Sequence, residues 1–98
     1  MGKYVYAYKG GGMPESEEEG KRIMEAWTSW FGGLGDSVVD MGNPLGASAA
    51  VGGGSTSGIT GYSIVTAGSL DDALAKAQGC PILNGGGGSV EVYEALDM

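Results

Sequence analysis

Two periods of hydrophobic patterning alternate along the chain. In residues 3–9 (KYVYAYK) the apolar positions repeat every second residue, with Tyr4, Tyr6 and Tyr8 on one face and Val5 and Ala7 on the other. Apolar side chains on both faces predict a central strand covered on both sides. Gly10, Gly11 and Gly12 end it. The period then lengthens. Ser16 followed three residues on by Glu19 is a capping box, and Glu15, Glu17, Glu18 and Glu19 gather where a helix dipole favours negative charge. Ile23, Trp27, Trp30 and Phe31 supply one apolar stripe, so a helix is expected that stops at Gly32 and Gly33.

Residues 36–41 (DSVVDM) read as a short second strand, followed by a turn through Asn43-Pro44. Residues 46–61 are rich in glycine, serine and threonine and are expected to form a long mobile loop. A third strand over 61–67 (GYSIVTA) is apolar on both faces. Ser69 with Asp72 repeats the capping box ahead of the stripe Leu70, Ala73, Leu74, Ala77, which Gly79 closes. Cys80-Pro81-Ile82-Leu83 connects to a glycine tip at 85–88, and residues 89–95 (SVEVYEA) form the last strand. The order βαββαβ predicts an α+β, ferredoxin-like single domain over 1–98, with a four-stranded antiparallel sheet and two helices on one face. The other face, expected to carry the tyrosines of the first strand, would be left wet in a monomer. A sheet-to-sheet homodimer is the expected remedy.

Composition narrows the function. Twelve acidic residues against five basic ones give a net charge of −7, which repels nucleic acid and anionic membrane surfaces alike. No apolar run reaches the length of a membrane span, and no export signal is visible. With one cysteine, Cys80, and hence no internal disulfide, a cytoplasmic location is expected. The chain has no histidine, which removes the commonest ligand and base for a zinc site or a Ser-His-Asp triad. No metal and no cofactor is implied. Gly52-Gly53-Gly54 lacks a following lysine, and the 85–88 run leads into a strand, so neither reads as a phosphate loop.

Six residues stand out as candidate site residues. Lys9, at a strand end before glycines, could turn its amine into a pocket as a base, or simply be a surface charge. Asp40 could be its carboxylate partner, or cap the turn through Gly42 and Asn43. The Asn43 amide could bond that turn or a ligand. Tyr6, Tyr8 and Trp30 could line a pocket between helix one and strand one, or serve as core. Cys80, beside a helix C-terminus with no cation near, reads as a buried structural thiol.

The segments YVYAYKGGG, WTSWFGGLG, VVDMGNPLG, GYSIVTAGSLDDALAKAQGCPIL and GGSVEVYEAL, in this order, resemble the YCII-related family over nearly the whole chain except the 46–60 loop. The resemblance implies a dimeric α/β barrel. It also implies, for some members, small enzymes acting on aromatic or lactone-type compounds through a His/Asp pair. This chain has Lys9 where relatives often read His before two glycines, and Cys80-Pro81 where the broader family tends to have Asp-Pro. The resulting expectation is a small-molecule-binding homodimer of unassigned chemistry. The alternative is a lyase or isomerase using Lys9 and Asp40 on a small cyclic or aromatic acid.

Overall fold

Strand β1 (Gly2–Lys9) occupies the middle of the sheet in the computed structural model, which describes residues 2–10, 16–83 and 87–96. Gly11, Gly12, Glu15, Gly85 and Gly86 lie outside the described residues. β1 pairs antiparallel with β3 (Ile59–Ala67) on one side and β4 (Ser89–Ala95) on the other. The short β2 (Val38–Asp40) adds to the far edge of β3, giving the order β2-β3-β1-β4. Helices α1 (Glu17–Leu34) and α2 (Leu70–Ala77) cover one face. This is the ferredoxin-like βαββαβ arrangement expected from the periodicities.

The core lies between that face and the helices. Tyr4, Tyr6 and Tyr8 point into it from β1, beside Val65 and Ala67 of β3, Ala73 and Ala77 of α2, and Cys80. The tyrosines therefore sit on the covered face of the sheet, not on the wet one. Two tall helices demand large side chains beneath them, and the rings of β1 supply that height, whereas Val5 and Ala7 are too short. The open face instead carries Val5, Ala7, Tyr62, Ile64 and Tyr93, placed there by the register of β1 with its two neighbours.

The polar atoms of Tyr6 and Trp30 find partners across the core. The Tyr6 hydroxyl donates to the Ala73 carbonyl at 2.6 Å, and the Trp30 indole donates to the Lys76 carbonyl at 3.1 Å. Tyr6 and Trp30 also stack at 5.9 Å between centroids, which ties β1 to both helices at once.

Both helices begin as their capping boxes dictate: Ser16 Oγ accepts from the Glu19 N–H at 3.1 Å, and Ser69 Oγ from the Asp72 N–H at 3.1 Å. α1 does not stop at Gly32-Gly33. It continues one more residue because Leu34 packs against the core, and Gly35, at φ +56°, then turns the chain out. No residue of α1 is fully buried. The helix rests on the sheet through the tips of Trp27, Trp30 and Leu34. In the connection between β2 and β3, the irregular segment ends at Gly58 rather than Gly61. Ile59, Thr60 and Gly61 belong to β3, where the Thr60 carbonyl accepts from the Leu45 N–H at 2.9 Å and Gly61 bridges Pro44. Residues 45–58 are exposed throughout.

Candidate functional site

Because α1 stands off the sheet on aromatic tips, an open cleft of about 1430 Å³ remains between that helix, the start of β3 and the turn at residues 41–44. Arg22, Ile23, Trp27 and Phe31 form its helical wall; Met41, Gly42, Asn43 and Pro44 form the opposite rim; Tyr8, Gly61 and Ser63 line the floor. Sequence determines the floor directly. Tyr8 reaches the helix face by the period-two alternation of β1, and its partner across the ladder is Gly61, which has no side chain to fill the space above. Both irregularities in strand pairing flank the same region. One falls between Tyr8 and Lys9, opposite Thr60, and the other between Val38 and Asp40. The Thr60 hydroxyl secures the first, 3.2 Å from both the Tyr8 and the Gly10 carbonyls.

A hydrogen-bonded chain runs along the floor. The Tyr8 hydroxyl donates to Ser63 Oγ at 2.8 Å, and the Ser63 hydroxyl donates to the Met41 carbonyl at 2.7 Å. Burial pushes the Tyr8 phenol far above its ordinary value, against the lowering effect of the Ser63 bond. Tyr8 is therefore a fixed donor rather than a base. Ser63 spends its proton on the Met41 carbonyl and, among the described residues, is bonded to no base, so it acts as a strut between β1 and the turn. At the rim, the Asn43 amide donates to the Tyr62 hydroxyl at 3.5 Å.

Of the six residues singled out from the sequence, Tyr8 and Asn43 line the cleft. Tyr6 and Trp30 lie in the core behind it, with their polar atoms engaged by α2. Lys9 and Asp40 lie apart. Lys9 pairs with Glu91 of β4 at 3.2 Å, and Glu91 also accepts from the Tyr93 hydroxyl at 2.9 Å; the Tyr93 and Lys9 bonds hold its carboxyl below the usual range. Asp40 caps the turn, accepting from the Gly42 N–H at 2.8 Å. Along β3 the two are opposite Ile59 and Ile64, a separation of roughly 16 Å at the rise of an extended strand, with β3 itself between them. The chain does not bring them to a common centre.

Sequence reasoning passed over Arg22, Thr60 and Ser63. Ser63 carried a signal, a polar residue on the covered face between Gly61 and Val65. Arg22 carried none, since an arginine on a polar helix face is ordinary. Among the described residues, no three metal-ligating side chains converge, and no helix is long and apolar enough to cross a membrane.

Three buried acids, Tyr8, Cys80 and Tyr6, set an alkaline limit on the fold. Burial raises the Cys80 thiol from 9.0 to about 11, and raises the Tyr6 phenol from 10.0 to about 12 with smaller contributions from Asp72 and Cys80. All three are neutral when folded and ionise more readily when unfolded. Their contribution is whole below pH 9 and is lost as pH climbs through 11 to 12 and, for Tyr8, higher. The melting temperature is expected to be level from pH 7 to about 8.5 and to fall steadily above about 9.5. Calorimetry that found it level up to pH 11 would mean that water reaches these groups in the fold.

No protein-family model matches this chain, and no curated protein sequence matches it. Among solved structures, it is similar to 5-chloro-2-hydroxyhydroquinone dehydrochlorinase from Burkholderia phenoliruptrix AC1100 in complex with 2,5-dihydroxybenzoquinone. The likeness has a TM-score of 0.61 at 18% identity and covers 98% of this chain and 95% of the other. At that identity the shared property is the fold, a ferredoxin-like α+β domain aligned end to end.

Proposed function

We propose that this chain is a YCII-like protein that binds a small, largely apolar molecule in the cleft beneath α1, with Tyr8 and Asn43 at its boundary, and that it works as a cytoplasmic homodimer. The observation that carries the reading is the cleft itself. It is lined mainly by apolar and aromatic side chains with a few placed polar groups, the usual make-up of a small-molecule site. Its volume exceeds that of a typical drug-sized pocket, leaving room for a covering segment above the ligand. The similar solved structure holds a one-ring quinone, which favours a ligand of that size.

The dimer reading is supported by the open face of the sheet, where Val5, Ile64 and Tyr62 are only half covered and Tyr93 is 54% exposed. A second copy would cover them. The lone buried thiol of Cys80 accords with a reducing cytoplasm. The lyase or isomerase alternative is less favoured because Lys9 and Asp40, the charged pair it requires, are each engaged elsewhere.

Nitrogen-15 NMR of the intact chain tests both parts together. With phenol, hydroquinone or benzoate added, the indole N–H signal of Trp27, which lines the cleft, is expected to shift and saturate. That of Trp30, bonded to the Lys76 carbonyl, should stay in place. The rotational correlation time of the same samples should be that of a dimer. Indole signals unmoved at millimolar concentrations would sink the binding reading, and a monomeric correlation time would sink the dimer.

A further inference from the structure

Between Asp40 and Asp71 the chain carries no charged residue, although twelve acidic and five basic residues occur in the whole sequence. The middle of that neutral stretch leaves the body of the fold as an arm. Its base is fixed by the bridge between Pro44 and Gly61 and by the bond from the Leu45 N–H to the Thr60 carbonyl at 2.9 Å. Beyond the base, residues 46–58 are exposed. Among the described residues their hydrogen bonding is internal, the Ser48 hydroxyl donating to Thr56 Oγ1 at 3.3 Å, so the two limbs are tied to each other and to neither helix. Both ends of the arm are built into the cleft, through Asn43 and Pro44 on one side and Thr60 and Gly61 on the other. The arm itself stands clear of the cleft lining.

We propose that residues 46–58 are a strap that turns about Gly46 and Gly58 and closes over the cleft once a small molecule is seated there, with Val51 against the occupant. The inference rests on the small-molecule reading of the cleft and deepens it. The two limbs differ in chemistry. The first carries Ala47, Ala49, Ala50 and Val51, and the second Ser55, Thr56 and Ser57. Val51 is wholly exposed, so its apolar surface gains nothing in the open position and is buried only on closing. The hydroxyls of the second limb can keep their water. A charged limb would have to shed its hydration to enter an apolar cleft, and this one has no charge to strip. The hinges are free to turn: a Cβ built at Gly46 or Gly58 would meet nothing within 4 Å, and Gly58 already stands at φ +77°. Reach is sufficient, since residues 47–52 extend about 20 Å while a compact space of about 1430 Å³ is about 11 Å across, the cube root of its volume.

The experiment is an NMR titration of the intact chain with phenol and with hydroquinone, both neutral at pH 7, so that net charge plays no part. The Trp27 indole signal reports occupancy, and the backbone nitrogen-15 relaxation of Ala49, Ala50 and Val51 reports the strap. At saturation the heteronuclear NOE of those three amides is expected to rise towards that of β3. Val51→Asp places a charge at a wholly exposed site, so its melting temperature should match that of the natural chain. Its affinity for each probe should fall at least tenfold. Deleting residues 47–57 joins Gly46 to Gly58 as a short glycine turn beyond Leu45 and Thr60, and should speed dissociation at least tenfold. Strap amides unmoved at saturation, or natural affinity in Val51→Asp, would overturn the strap while the Trp27 shift still upheld the cleft. If neither probe moved the Trp27 signal, the cleft reading itself would fail and the strap with it.

Discussion

Tyr6→Ala is expected to lower folding stability by about 3–5 kcal/mol, the range for deleting a large aromatic from a packed core. A domain of this length holds only about 5–15 kcal/mol in all, so a substantial unfolded fraction should appear at moderate temperature. The reason is the position of this ring rather than its size alone. Tyr6 is fully buried in the central strand, stacks on Trp30 of α1 and bonds the Ala73 carbonyl of α2, so three elements meet on one side chain. Tyr6→Phe removes only the hydroxyl and is expected to cost about 1 kcal/mol, the usual value of one hydrogen bond. Urea denaturation of the three proteins measures both differences. A loss below 1 kcal/mol for Tyr6→Ala would mean that α1 and α2 are held by something other than this ring.

Gly42→Ala is expected to cost about 2–4 kcal/mol, large for the addition of one methyl at a turn. Gly42 adopts φ +79°, where an L side chain is strained by about 1–2 kcal/mol. A Cβ there would also run into the Tyr62 carbonyl. That carbonyl belongs to β3, which is paired on both sides and cannot retreat. The turn must move instead, breaking the Asp40 cap and carrying the Met41 carbonyl away from Ser63. Gly52→Ala is the matched control, since Gly52 has φ +96° but open space around it. Its cost should be that of the backbone strain alone, about 1–2 kcal/mol. Equal costs at the two positions would show that the collision with Tyr62 is relieved without disturbing the turn.

What could be read in the sequence was whatever local chemistry decides. Ser16 with Glu19 and Ser69 with Asp72 announced both helix starts because a cap bonds an N–H three residues away. The period of two in β1, β3 and β4 was equally plain. The covered face of β1 was not, because rings alternate there with aliphatic residues and neither face is polar. Only the presence of helices above Tyr4, Tyr6 and Tyr8 decides between them. The end of α1 turned on Leu34 meeting the core, and the partner of Lys9 on β4 lying beside β1; both depend on contacts distant in sequence. The location of the cleft, between helix one, strand one and the Asn43-Pro44 turn, could be anticipated from Tyr8 and the turn. Its cation could not. Nothing in a run of helix-forming residues shows that Arg22 will face a gap left by α1 standing high on Trp27 and Trp30.

The central place of β1 also governs how the chain can come together during synthesis. Its ladder partners begin at Ile59 and Ser89, so neither neighbour exists when β1 leaves the ribosome. Pairings between segments so far apart in sequence close slowly. Until β3 emerges, a strand bearing three tyrosines has both edges unpaired and its apolar faces uncovered, the condition under which nascent chains associate wrongly. Its second edge stays open until the last strand is made. A protein arranged in this way completes its sheet only once β4 has left the ribosome.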